Sequence, residues 1–278
     1  MKKSIRLLLV LVYLIILLGT FCSPNKNKNK LVLTGSSTIA PLAMEIGKLF
    51  ERKNPNVQVN VQTGGSSRGI TDVRKGLNDI GMASRTLKKS EKKLYSFTIA
   101  KDGVCIILHK SSVINKLTKQ QVIDIFTGKI NNWKEVGGQN EKITVVNKAE
   151  GRATLEVFTK FYGLKNKNII AHVVIGDNEQ GIKTVIGNKN AIAYVSIGTA
   201  EYNVKHGVAI KLLATNNVTA NIKNLANGSF PIFRPLNLIT KVQPLGLVKK
   251  FIEFARSKQV EKIIQEYYFV PITKNRHR

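Results

Sequence analysis

The sequence predicts an α/β fold in which mostly parallel sheets are flanked by helices. Two observations carry this prediction. Short apolar runs of strand length alternate along the chain with stretches whose apolar residues recur at helical spacing. At three of the strand-to-helix junctions the connection is a short turn built from small residues. Such a junction aims the unpaired first-turn N–H groups, and the positive end of the helix dipole, at one point where a small anion can sit.

The first junction organises the rest. Leu31 to Leu33 reads as a buried strand, Thr34-Gly35-Ser36-Ser37-Thr38 as a tight hydroxyl-rich turn, and Ile39, Leu42, Ile46, Leu49 and Phe50 as one face of a helix. The second runs from a strand at 57–62 through Thr63-Gly64-Gly65-Ser66-Ser67-Arg68-Gly69 into a short helix ending near Val73. The third follows a strand at 143–147. There Lys148-Ala149-Glu150-Gly151-Arg152-Ala153-Thr154 opens a helix carrying Leu155, Phe158 and Tyr162, stopped by Gly163. Ser and Thr cap most helices for structural reasons alone, so one such turn means little. Three in one chain, two glycine-rich and two with an arginine, point to a shared ligand.

Between and beyond these junctions, a lysine-rich segment after Arg85 is expected to be helical and to lead into a buried strand at 104–110. Thr118-Lys119-Gln120-Gln121 forms a capping box for a helix through Phe126, ended by Gly128, and Trp133 packs where that helix meets the next turn. Strands follow at 171–175, 191–195 and 208–213, with a helix at 179–186. Gly176 to Thr184 comes close to a P-loop, but its glycine and lysine are not adjacent, which argues against nucleotide binding. Residues 230–241 read as a strand, and Leu247, Phe251, Ala255, Val260, Ile263, Ile264 and Tyr267 as closing helices.

Taken together, Gly35-Ser36-Ser37-Thr38 with Ala40-Pro41, Gly64-Gly65-Ser66-Ser67-Arg68-Gly69, Asp79-Ile80-Gly81-Met82-Ala83-Ser84-Arg85 and Gly151-Arg152-Ala153-Thr154 with Phe158 stand in a specific order. With the segment Leu117 to Trp133 between them, the chain resembles the phosphate-binding proteins of bacterial phosphate ABC transporters, periplasmic-type solute-binding lipoproteins. The resemblance runs from about Leu31 to Ile272. It implies a two-lobed, type II periplasmic-binding-protein fold with the ligand cleft between the lobes: lobe 1 from residues 31–110 and 229–278, lobe 2 from 111–228. It also implies that inorganic phosphate is the ligand, that ABC permease subunits are the partner, that the protein is a monomer, and that no cofactor is used.

By match to the family's motifs, phosphate is expected to meet Ser37, Thr38 and Ile39 from the first turn, and Ser66 from the second with Ser67 and Arg68 as its neighbours. From the third turn it is expected to meet Arg152, Ala153 and Thr154. Lys148 stands where the family often has an arginine, and Arg152, inside the turn, is expected to take over that role. Asp79 is expected to supply selectivity. A carboxylate accepts a hydrogen bond from protonated phosphate and repels sulfate, which brings no proton.

Composition agrees with an extracytoplasmic binding protein. Lys2, Lys3 and Arg6 precede the apolar run Leu7–Leu18, too short for a membrane span and of signal-peptide length. Cys22 after Gly19-Thr20-Phe21 resembles a lipobox cysteine, so residues 1–22 are expected to be a lipoprotein signal and 23–30 a polar tether. Phe21 departs from the small residue usual at its place. The protein is then held by lipid on the periplasmic or cell-surface side of the cytoplasmic membrane. Net charge is +27, and +21 remains outside residues 1–30, which favours anion capture. No nucleic-acid-binding module is recognisable, and aromatic residues are not interleaved with the basic runs. The two cysteines and four scattered histidines have no metal-ligand spacing, and the histidines show no grouping that could serve a nucleophile, which argues against a metal site and against an esterase. A receptor for another oxyanion, such as sulfate or molybdate, and a surface adhesin on the same fold are the alternatives.

Overall fold

Leu31 and Leu33 are fully buried in the first strand, β1 (Asn29–Gly35), and Leu42, Ala43, Ile46 and Phe50 bury one face of the helix after it, α1 (Ala40–Lys53). The structure, a computed structural model, describes residues 29–272; the leader, Cys22 and the tether before Asn29 lie outside them. β2 (Val57–Thr63) pairs parallel with β1, and α2 (Ser66–Lys75) leads to β3 (Ile80–Ala83), parallel with β1 on its other side.

The lysine-rich segment after Arg85 differs from the expected helix. It forms only a 3₁₀ turn, Lys89–Glu91, before a long strand, β4 (Tyr95–His109). The reason is local: Glu91 turns back to bind Arg85 through both carboxylate oxygens, at 2.7 and 2.9 Å, and this closes the turn. β4 therefore begins nine residues before the strand expected at 104.

After β4 come α3 (Lys119–Phe126), β5 (Thr144–Lys148), α4 (Ala153–Tyr162), β6 (Val173–Ile175), α5 (Asn178–Gly187) and β7 (Ala191–Ser196). Then follow α6 (Ile197–Lys205), β8 (Ile210–Leu212), α7 (Ile222–Ala226), β9 (Phe233–Thr240), α8 (Gly246–Ala255), α9 (Glu261–Glu266) and β10 (Val270–Pro271). The strand order is β2-β1-β3-β9-β4-β7-β5-β6, with β8 and β10 also on β4. Among the strands of the described residues, parallel pairing joins β1 with β2 and β3, and β5 with β6 and β7. β4 and β9 run antiparallel to their neighbours, because each carries the chain across from one parallel unit to the other.

Two large hydrophobic clusters lie along this sheet. One holds Leu31, Leu33, Ile46, Leu236 and Phe251; the other holds Val104 to Leu108, Phe126, Phe158, Tyr194, Phe230 and Ile232. β4 changes cluster near Gly103, where it faces Phe233 of β9. The change of cluster falls near residue 103 on β4 and near residue 233 on β9, and β4 continues through it without a break. Cys105 is a buried free thiol in the second cluster. No helix among the described residues is long and apolar enough to cross a membrane.

Candidate anion-binding site

β1 and β3 end side by side, with Gly35 opposite Met82, and β5 ends at Lys148. The turns that follow these strands meet at one small cavity. It is lined by Ser36, Ser37 and Thr38 from the first turn, Gly65 and Ser66 from the second, Ser84 after β3, and Lys148, Arg152, Ala153 and Thr154 around the third. Gly176, Asp177 and Asn178, before and at the start of α5, close it. The cavity is small, with about 10 Å³ of room for water-sized centres, far too little for a nucleotide.

Four helices, α1, α2, α4 and α5, begin at this wall. The first three have no side-chain cap, whereas α3, α6 and α7 are capped by Thr118, Ser196 and Asn221. Leaving out the cap keeps first-turn N–H groups available to a ligand, and the dipoles favour negative charge there. The turns must also approach closely. Gly65 has φ +93°, and a Cβ there would meet the Gly151 carbonyl at 2.9 Å and Arg152 Cδ at 3.0 Å. Glycine is required at that contact.

Of the expected residues, Ser37, Thr38, Ser66, Lys148, Arg152, Ala153 and Thr154 come together at the cavity. Four do not. The Ile39 N–H is used locally, donating to the Ser36 carbonyl at 3.2 Å. The Ser67 N–H donates to the Gly151 carbonyl at 3.2 Å and so ties the second turn to the third. Arg68 is exposed and turns back on its own turn, donating to the Thr63 carbonyl at 2.9 Å and pairing with Asp72 at 3.4 Å.

Asp79 is the main correction. It is exposed at the amino end of β3, and its Oδ2 accepts from the Val32 N–H at 2.7 Å. Parallel strands present ligands at their carboxyl ends. The residue after β3, Ser84, therefore reaches the cavity, and the residue before it cannot.

Lys148 is 2 % exposed, and its Nζ donates to the Asp177 carbonyl at 2.8 Å. Burial pushes its ammonium down to about 7; the Asp177 charge works against this, and Arg234 and Arg152 add to it. Tyr194, stacked on Phe158 at 3.9 Å between centroids, holds the Lys148 backbone by accepting from its N–H at 3.2 Å. Arg152 spans the cavity. Its aliphatic part lies against Gly65, and its Nη2 would be 3.2 Å from a Cβ at Gly176.

Sequence reasoning missed Ser36, Gly65, Ser84 and the Gly176-Asp177-Asn178 turn as lining residues. The signal for the last was the rejected P-loop look-alike, which is a fourth strand-turn-helix junction. It also missed the floor, where Arg234 of β9 and Asp102 of β4 form a fully buried ion pair at 2.8 Å. From the same guanidinium, Nη1 donates to Thr154 Oγ1 at 2.9 Å and Ser84 Oγ at 3.3 Å, and Nη2 donates to Thr38 Oγ1 at 3.2 Å.

The profile of the PBP superfamily domain matches residues 23–259. The chain belongs to the PBP superfamily. Among curated relatives, this PBP chain is 28% identical over 253 residues to the phosphate-binding protein PstS of Bacillus subtilis (strain 168), covering 89% of this chain and 82% of that protein. Among solved structures, it resembles a Clostridium perfringens protein assigned to the substrate-binding class of phosphate ABC transporters, solved with bound phosphate. The TM-score is 0.81 at 33% identity, over 88% of this chain and all of that one. An ABC-type phosphate transport receptor from Vibrio cholerae aligns with TM-score 0.69 at 28% identity, over 88% of this chain and 100% of that one. The α/β periplasmic-binding-protein fold expected for the PBP chain is thus the fold it has.

Proposed function

We propose that this protein captures inorganic phosphate outside the cytoplasm and delivers it to the permease of an ABC transporter, without catalysing a reaction. The observation that carries this reading is the meeting of three uncapped helix N-termini, six hydroxyl side chains and two cationic side chains, Lys148 and Arg152, at one small cavity. The names of the relatives favour phosphate among tetrahedral oxyanions. In this reading the two hydrophobic clusters are the cores of two lobes, roughly residues 31–103 with 233–272 and residues 104–232, which close on the ligand. Cys22 carries the lipid, the tether holds the monomer at the outer face of the membrane, and the cationic surface gathers anions.

Titration calorimetry of the purified protein with phosphate tests the reading. One site per chain is expected. No heat beyond dilution, with the protein folded, would overturn it. For the anchor, labelling with a palmitate analogue is expected to mark the wild type and spare Cys22→Ser; equal labelling would remove Cys22 from the scheme.

A further inference from the structure

A charged cluster stands beside the cavity without lining it. Arg85 follows Ser84, and Glu156 comes two residues after Thr154, so each adjoins a lining residue on opposite walls. Glu156 Oε2 lies 3.2 Å from Arg85 Nε and 2.8 Å from Lys88 Nζ. Arg85 and Lys88 belong to the lobe of residues 31–103 and 233–272, and Glu156 to the lobe of residues 104–232. Among the described residues, these are the only ion pairs that cross from one lobe to the other.

The Arg85 side of the contact is built to survive a parting. Glu91 holds the guanidinium through both oxygens, at 2.7 and 2.9 Å, and also accepts from the Lys88 N–H at 2.8 Å. Arg85 Nη1 donates to the Thr86 carbonyl at 3.1 Å, and the Arg85 carbonyl accepts from Asn237 Nδ2 at 2.9 Å. The Arg85 side chain is only 5 % exposed, yet it keeps one carboxylate whether or not Glu156 is engaged. A buried charge stripped of its partner is strongly unfavourable, and Glu91 removes that obstacle. Glu156, partly exposed in the first turn of α4, returns to water when it lets go. The contact can therefore form and break repeatedly, with its lobe 1 half fixed in advance.

The sign of the Glu156 charge matters. A carboxylate in the first turn of a helix whose N-terminus faces an anion repels that anion. Any help it gives to binding must come through Arg85 and Lys88.

We propose that Glu156 is the detachable half of a latch, a positioning residue that engages Arg85 and Lys88 across the cleft, holds the lobes shut and sets how fast the anion leaves. This rests on the reading of the protein as a two-lobed phosphate receptor and deepens it. The latch forms only after the walls have come together, so it acts on release and not on capture.

Stopped-flow measurement of phosphate capture and release by the whole protein reads both rates. Glu156→Gln keeps the size of the side chain and removes its charge. Release is expected to quicken at least about fivefold, with capture changed less than about twofold. Charge alone predicts the opposite sign, since removing a carboxylate beside an anion tightens its binding. Lys88→Met is expected to quicken release about threefold in the wild type, and less than about 1.5-fold in Glu156→Gln, where the pair is already broken. Lys89→Met removes the same charge one residue along, from a side chain in no ion pair among the described residues, and is expected to leave release within about 1.5-fold.

Release from Glu156→Gln at the wild-type rate, or more slowly, would overturn the proposal and leave Glu156 a bystander charge. Faster release with the Lys88→Met effect undiminished in Glu156→Gln would trace both changes to the general field and overturn it as well. A wild type that binds no phosphate would sink the functional reading and the latch with it, whereas phosphate binding with unaltered release from Glu156→Gln sinks only this inference.

Discussion

Lys148 and Asp177 are joined across the cavity wall by a 2.8 Å hydrogen bond from the lysine Nζ to the aspartate carbonyl. The bond satisfies one of three ammonium protons, on a side chain almost wholly out of water, which is why its proton is held so weakly.

Ligand binding should therefore take up a proton. A bound anion favours the charged lysine, so above about pH 7 phosphate binding is expected to draw a proton from solution. Calorimetry in buffers of different ionisation enthalpy measures this. Lys148→Met should bind phosphate more weakly and lose the Lys148 share of proton uptake; an unchanged uptake would exclude Lys148 as its source.

The same lysine should set part of the pH dependence of stability without ligand. The unfolded chain keeps this proton to about pH 10.4, the folded one only to about 7. Between these values the unfolded state binds more protons, so this group's contribution is fully present above the higher value and lost as pH falls through the lower. Wild type minus Lys148→Met, in denaturant unfolding, should rise with pH across that window by several kcal/mol, at about 1.4 kcal/mol per unit.

Arg152 and Arg68 should differ sharply. Arg152 lines the cavity and Arg68 is turned away from it. Hydrogen bonds to a charged group are worth about 1.5–3 kcal/mol, so Arg152→Ala is expected to weaken phosphate binding at least about tenfold. Arg68→Ala is expected to leave affinity within about twofold. The reverse order in a titration would mean that the second turn, not the third, supplies the guanidinium.

Asp79→Asn should leave the phosphate-to-sulfate preference untouched, since its carboxylate serves the Val32 N–H. A loss of about 1 kcal/mol in stability is expected from that hydrogen bond. A changed preference would return Asp79 to the ligand.

Gly65→Ala should abolish tight binding. The added Cβ collides with the Gly151 carbonyl and Arg152 Cδ, and the backbone sits at φ +93°. Loss of affinity beyond about tenfold, with the far-UV circular dichroism unchanged, is the expected outcome.

That three turns would meet at one place was legible because glycine and hydroxyl residues stand at strand ends, where the cavity forms. Asp79 misled because a motif shows which residues are close in sequence but not which end of a strand faces the ligand. Ser84, five residues further on, becomes the site residue only once β3 is known to run parallel to β1. Arg234 could not be read at all: its hydroxyl partners Thr38, Ser84 and Thr154 lie 196, 150 and 80 residues away. The expected helix after Arg85 failed because the pairing of Arg85 with Glu91 outweighs the helical tendency of the lysines between them.

The position of β9 bears on the order in which the protein can fold. The strand lies between β3 and β4, yet it is made more than 120 residues after either. The cluster built from Val104 to Ile232 is continuous in the chain and can assemble as soon as it is synthesised or translocated. The first sheet cannot. Until Phe233 to Thr240 arrives, β3 and β4 present open edges with no strand between them, and closing that gap orders a very long loop. Nascent chains are therefore left with a half-built amino-terminal sheet, its edges open to other partners, until residues 233–240 are made.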